Sequence, residues 1–318
     1  MLFVSADDCR GLLDTATVLE VVEDALRMDG EGTVRWSEPR SMRVGGGELG
    51  SRLRVKAAAL EEPGVAGVRV LAFSPAHGDT RWVLVLDDVT GEPRAIVDEA
   101  WTYPQRSIAC VALLAHRLSP PDVPRIGLIG AGRIARAALP YVRYLFPGAA
   151  LAVSSRREET RGRLAGLARE QIGIDAVAVP VEEAVRGSQV VLACTSASSA
   201  VLREEWIEAG TVVGSLETTD CGPEFYEAAD LRIVDSRDQL EDELIDAYGG
   251  SAPARVDASM AEVVTGVHPG RTHEAQRILV LSQGLVSQDL LLAARAWKEA
   301  VDRGIGTAVP IGPPSPSA

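Results

Sequence analysis

Aromatic residues are scarce in this 318-residue chain, at 4% of the total, so any interior must be built from aliphatic and alanine side chains. Positive charge is also short. With 32 Lys and Arg against 45 Asp and Glu the net charge is −13, which argues against a nucleic-acid or anionic-membrane partner, since those surfaces attract concentrated positive charge. No apolar run approaches the ~18 residues that span a bilayer, and the opening Met1-Leu2-Phe3-Val4-Ser5-Ala6-Asp7-Asp8 has no basic leader region, so a cytoplasmic location is expected. Cysteine is limited to Cys9, Cys110, Cys194 and Cys221, too scattered for a zinc or redox pair; all four read as reduced, with Cys110 and Cys194 in the core. The four histidines, His77, His116, His268 and His273, have no ligand spacing, so no metal is expected. There is no internal repeat. What remains, 46% hydrophobic and 24% charged residues, is the composition of a folded protein long enough for two domains.

Ser5 followed by Asp7 and Asp8 marks a helix start, and Leu12, Leu13, Val18, Val21, Val22 and Leu26 fit one buried helical face. From Arg40 to Asp98 the texture turns to short β-rich runs broken by glycine: Arg52–Leu60, Gly67–Ser74, Trp82–Asp88 and Ala95–Asp98, the last two joined by a hairpin turn at Val89-Thr90-Gly91-Glu92-Pro93. Tyr103–Leu118 reads as a helix, and Ser119-Pro120-Pro121-Asp122-Val123-Pro124 as a stiff connector. Beyond it, aliphatic strands at Arg125–Ile129, Ala150–Ser154, Val190–Thr195, Thr211–Ser215 and Leu231–Asp235 alternate with helical stretches, the pattern of a doubly wound parallel sheet. Met260–Val264 and Ala275–Lys298 read as helical, the last helix returning to the first domain, and Ile311–Ala318 as a disordered end. The expected fold is therefore α/β: a Rossmann domain over residues 122–292, plus an α+β substrate and dimerisation domain with a mostly antiparallel sheet, made of 1–121 and about 293–318.

Ile126-Gly127-Leu128-Ile129-Gly130-Ala131-Gly132-Arg133-Ile134-Ala135 gives a buried strand and then G-x-G-x-x-A opening a helix. Gly130 makes the tight turn, Gly132 lets backbone approach a pyrophosphate, and Ala135 permits close helix-on-strand packing. The loop and helix start, Gly130, Ala131, Gly132, Arg133 and Ile134, would hold the phosphates of a nicotinamide dinucleotide. The next strand ends in Ser154-Ser155-Arg156-Arg157, where an NAD-binding fold usually places an acid for the ribose hydroxyl. Hydroxyls and guanidinium groups suit a 2′-phosphate instead, so NADP(H) is expected over NAD(H), the alternative being two solvated arginines on a helix start. Thr195 and Ser196, after Cys194, stand where the ribose and nicotinamide side would lie, or form a plain turn.

Glu38-Pro39-Arg40, Thr90-Gly91-Glu92-Pro93, Arg106-Ser107-Ile108-Ala109, the dinucleotide motif, Asp220-Cys221-Gly222-Pro223, Gly266-Val267-His268-Pro269-Gly270-Arg271 and Ser282-Gln283-Gly284-Leu285-Val286-Ser287-Gln288-Asp289 follow one another along the chain. In this order they resemble the ornithine cyclodeaminase and μ-crystallin family over most of its length. The resemblance implies a homodimer, with Arg40 and Arg106 on a substrate α-carboxylate, Ser282 and Gly284 among the cofactor contacts, and Asp220 as acid/base. A bidentate guanidinium suits a carboxylate clamp, and an acid after a sheet strand suits proton transfer to an amine. Glu217 rivals Asp220 for that role. The departures bear on the reaction. Arg69, in Gly67-Val68-Arg69, replaces the family's substrate-contacting lysine, with Lys56 nearby as a substitute; Tyr103-Pro104-Gln105 replaces a threonine-containing approach to Arg106, and Glu224 stands where a basic residue is common. His77, in Pro75-Ala76-His77-Gly78-Asp79, is either a plain loop histidine or one within reach of the substrate.

The resulting expectation is an NADP(H)-dependent imine or ketimine reductase, or amino-acid dehydrogenase, acting at the Cα–N bond of a small α-amino or α-imino acid. A cyclodeaminase with non-consumed cofactor is the alternative, disfavoured by Arg69, and a non-catalytic NADP(H)-binding protein is the third.

Overall fold

The computed structural model of the chain describes residues 1–45, 52–76, 78–237, 239–240 and 255–312. His77 and residues 313–318 of the expected disordered end lie outside the described residues. The chain forms two compact units, Met1–Tyr103 with Val286–Ala318, and Pro104–Leu285. No described helix is long and apolar enough to cross a membrane.

The first unit begins with β1 (Leu2–Val4), α1 (Ala6–Leu12) and α2 (Thr15–Glu31). The single N-terminal helix expected from periodicity is two helices. Ser5 and Asp8 form a capping box at α1, Leu13 turns extended, and the Asp14 side chain accepts from the Thr17 N–H at 2.8 Å to start α2. The apolar stripe survives the break, with Leu12, Leu13, Val18, Val21, Val22 and Leu26 all buried. Next come β2 (Val34–Trp36), β3 (Met42–Gly45), β4 (Arg52–Leu60), β5 (Val65–Ser74), β6 (Gly78–Asp87) and β7 (Pro93–Asp98), leading into α3 (Glu99–Leu118). The sheet runs β1-β7-β6-β5-β4-β2, with β3 also paired to β4 and Thr307–Ala308 flanking β1; among the described residues only β1 and β7 pair in parallel. The hairpin turn stands where expected, Asp87 Oδ1 accepting from the N–H groups of Val89 and Thr90. Alternation gives the sheet two faces. Lys56, Ala58, Leu60, Val65, Arg69, Val83, Val85, Ala95 and Val97 are buried on the side that carries the C-terminal helix Val286–Arg303. The other face presents the cross-strand rows Val55–Val70–Trp82 and Ala57–Val68–Leu84–Ile96.

The second unit holds β8 (Arg125–Ile129), α4 (Arg133–Leu145), β9 (Ala150–Ser154), α5 (Glu158–Leu167), β10 (Ala176–Ala178), α6 (Val181–Val185), β11 (Val190–Ala193), β12 (Val212–Ser215), α7 (Pro223–Ala228), β13 (Leu231–Val234), β14 (Ala258–Ser259), the helix Met260–Val264 and β15 (Ile278–Leu281). All pairings are parallel in the order β10-β9-β8-β11-β12-β15-β13-β14. The chain runs outward from β8 through β9 and β10, then returns to place β11 on the other side of β8. That reversal opens a crevice at the carboxyl ends of β8 and β11. The segment read as helical from Ala275 is corrected: β15 precedes the helix and lies between β12 and β13, and Ile278-Leu279-Val280-Leu281 is buried throughout. A four-residue apolar run covered on both faces carries no period that separates strand from helix.

Candidate active site

The turn after β8 has the shape the glycine pattern requires. Gly130 sits at φ +115°, and a Cβ there would stand 2.4 Å from the Cys194 carbonyl oxygen, so only glycine lets the end of β8 close against the end of β11. Gly132 caps α4 at an ordinary φ of −85°, with no side-chain capping bond and no atom within 4 Å of where its Cβ would be. Ala131 and Ile134 are half-buried, Arg133 is exposed and Ala135 is fully buried. An open approach to uncapped N–H groups at the start of a 13-residue helix fits a pyrophosphate.

At the end of β9 the Ser154 carbonyl accepts from the Gly130 N–H at 2.8 Å, and Ser154 itself is 1% exposed, so it shapes the turn from within. Ser155 is half-buried; its hydroxyl lies 3.0 Å from the Arg157 carbonyl and 2.7 Å from Thr160 Oγ1. Arg156 and Arg157 are exposed, with no ion-pair partner among the described residues. Sequence reading missed Arg161, which stands one helical turn after Arg157. Its Nη1 donates to the Ser155 carbonyl, while its Nε is buried without a hydrogen-bond partner among the described residues. The i, i+4 spacing on α5 is the signal that would have found it.

Asp220 is completely buried at the carboxyl ends of β11 and β12. Thr195 Oγ1 donates to its Oδ1 and in turn accepts the Ala197 N–H at 3.0 Å. Ser215 Oγ lies 3.0 Å from Oδ2 and 2.8 Å from the Glu217 carbonyl. Ser215 has one proton for those two acceptors, so a proton on Asp220 Oδ2 completes the chain of donors. Burial raises the Asp220 pKa above the ordinary carboxylate value, opposed by its hydroxyl bonds to Thr195 and Ser215. Burial also pushes up the thiols of Cys194 and Cys221, with the Asp220 charge adding to the effect. All four cysteines are free and buried. Glu217 is exposed, its backbone closing the turn on Asp220, and Ser196 is exposed beside half-buried Thr195.

Arg106, on α3, is 4% exposed, and its guanidinium lies against Gly284 in the segment after β15. The Ser282 hydroxyl, expected among the cofactor contacts, donates to Asp235 Oδ2 at 2.8 Å. In the first unit Lys56 and Arg69 are cross-strand partners on β4 and β5, 4% and 5% exposed. Arg69 Nε meets Glu99 Oε2 at 2.7 Å and Asp289 Oδ2 at 3.3 Å, which holds the guanidinium charged, while its Nη2 is buried with no hydrogen-bond partner among the described residues. The Arg40 guanidinium lies 4.6 Å from the Trp36 ring, in the segment between β2 and β3.

Alanine dehydrogenase of Archaeoglobus fulgidus is 23% identical to this chain, over 97% of it and 98% of the relative. An NAD(P)H-dependent anabolic L-arginine dehydrogenase of Pseudomonas aeruginosa is 28% identical over 69% of this chain and 71% of its own. Among solved structures, Δ(1)-pyrroline-2-carboxylate reductase of Thermococcus litoralis, in complex with NADH and L-proline, superposes with a TM-score of 0.89 at 24% identity, covering 97% of this chain and all of that one (100%). The model of the ornithine cyclodeaminase/mu-crystallin family matches residues 2–304, and the chain belongs to that family.

Proposed function

We propose that this protein is an NADP(H)-dependent oxidoreductase acting at the Cα–N bond of an α-amino or α-imino acid, as an imine or ketimine reductase or an amino-acid dehydrogenase. The observation that carries the reading is the buried Asp220 carboxyl, bonded to the Thr195 hydroxyl on the strand end that closes against Gly130. When bound, the nicotinamide supplies the hydride for the imine carbon. The imine nitrogen also needs a proton, and Asp220 would be its source at the carboxyl ends of β11 and β12. Asp220 is favoured over Glu217 because it is buried and its pKa is raised above the ordinary carboxylate value, whereas Glu217 is exposed. The second unit would hold the dinucleotide at Gly130–Ile134, with Arg156, Arg157 and Arg161 favouring a 2′-phosphate.

Arg106 would take the substrate's α-carboxylate. The first unit, taken by itself, offers anion-binding candidates in the spare Nη2 of Arg69, in Lys56 and in Arg40. A permanently charged guanidinium cannot exchange protons as a lysine does, which disfavours a cyclodeaminase. The first unit would also carry self-association, because the half-exposed face of its sheet is apolar in Val55, Val68, Val70, Leu84 and Ile96.

The test is absorbance at the reduced-nicotinamide band with NADP⁺ and amino acids, and with NADPH and keto acids plus amines. A net change faster with NADP(H) than with NAD(H) is expected. Ammonia release from a diamino acid without net change would make the protein a cyclodeaminase, and tight cofactor binding without either would make it a binding protein.

A further inference from the structure

Three elements of the second unit converge behind Arg106. Gly284 sits at φ +83°, and a Cβ on it would lie 2.3 Å from Arg106 Nη1 and 2.9 Å from Nη2, so the guanidinium rests on the bare Cα of that residue. The position therefore needs glycine twice, for its backbone conformation and for the space. What fixes the segment is Asp235, at the end of β13. Its Oδ2 accepts the Gly284 N–H at 2.6 Å and the Ser282 hydroxyl at 2.8 Å, so one buried oxygen ties two points of the turn that leaves β15. Asp235 is 2% exposed, Ser282 is 2% exposed and Arg106 is 4% exposed, so none of these bonds is a surface accident. Charged acceptors make the stronger hydrogen bonds, and burying a carboxyl is costly unless it is hydrogen-bonded, as Oδ2 is here.

We infer that Asp235 is a positioning residue that acts through the Ser282–Gly284 turn to set the plane of the Arg106 guanidinium. Ser282 and Gly284 then support the carboxylate clamp from behind. This rests on the reading of Arg106 as the clamp for the α-carboxylate. A bidentate clamp depends on the orientation of its planar fork, and a displacement of about 1 Å costs on the order of 10²-fold in such a site.

The experiment separates the inference from that reading. With ¹⁵N-labelled arginine, the Arg106 Nε–H signal, assigned by its loss in Arg106→Lys, is observed in the free protein, where no activity is required. Asp235→Ala and Gly284→Ala are expected to shift and broaden it. Asp235→Asn is expected to restore it, because an amide oxygen still accepts both bonds. In turnover, Asp235→Ala raises KM for the amino or imino acid by about 10²-fold with dinucleotide affinity unchanged. An Arg106 signal that ignores Asp235→Ala overturns the proposal, as does a loss of dinucleotide affinity equal to the loss in KM. If Gly284→Ala does not fold, the Asp235 pair still decides. If the wild type turns over no member of the panel, the functional reading fails while the NMR comparison still judges the inference.

Discussion

Asp220 pays for its position twice over in electrostatics: it has no exposed surface, and its side-chain hydrogen bonds come from hydroxyls, not from a cation. Its pKa therefore rises above the ordinary value of 3.8, chiefly by loss of hydration. The unfolded chain carries an ordinary carboxyl, so between that value and the folded one the native state holds more protons. Stability from this group is thus complete below the ordinary pKa and is lost as pH rises through the folded pKa. Asp220→Asn should lower kcat by about 10²–10⁴-fold, the usual reach of a general acid or base. It should also melt higher than the wild type by a margin that widens as pH rises from the ordinary carboxylate range toward neutrality. Calorimetric scans across that range check the second effect, and a margin constant with pH would show that Asp220 does not titrate differently in the native protein.

The glycine turn between β8 and α4 separates two functions that the motif merges. Gly130→Ala places a side chain against the Cys194 carbonyl at a φ that disfavours it, costing about 1–3 kcal/mol of backbone strain besides the contact, so the melting temperature should fall. Gly132→Ala meets nothing in the protein and has an ordinary φ, so it should melt like the wild type yet bind the dinucleotide about tenfold or more weakly, a loss of about 1.4 kcal/mol or more. A Gly132→Ala variant that binds the dinucleotide as tightly as the wild type would show that the open space at Gly132 is not the pyrophosphate's approach. This turn is legible in the sequence because strand, small residues and helix are contiguous there, and their spacing is imposed by local geometry. The break between α1 and α2 is less legible, because one side-chain bond from Asp14 overrides an uninterrupted apolar stripe. The support behind Arg106 is not legible at all. Asp235, Ser282 and Gly284 meet α3 only because the sheet places β15 next to β13 and residues 47–49 positions apart in sequence fold together. Asp235 does share a sign with Asp220, an acid in the segment that follows a sheet strand.

For the whole molecule, a net charge of −13 sets like-charged copies against each other, so association must come from apolar area. The first unit offers that area. One face of its sheet is buried under the C-terminal helix, while the alternate residues Val55, Val68, Val70, Trp82, Leu84 and Ile96 form a half-exposed or exposed apolar face on four paired strands. Antiparallel sheets that face water normally alternate apolar with polar residues, and this one does not. A second copy of the same face is the occupant that satisfies the pattern with closed two-fold symmetry. Sedimentation should therefore find a dimer whose dissociation constant falls as salt is added, since screening shortens the reach of the repulsion to about 8 Å at physiological ionic strength. Leu84→Arg, at the centre of the face, should yield a folded monomer. Because the dinucleotide turn belongs to the other unit, that monomer should still bind the dinucleotide, as fluorescence titration would show. A wild type that sediments as a monomer, or a Leu84→Arg variant that remains a dimer, would remove this face from the interface.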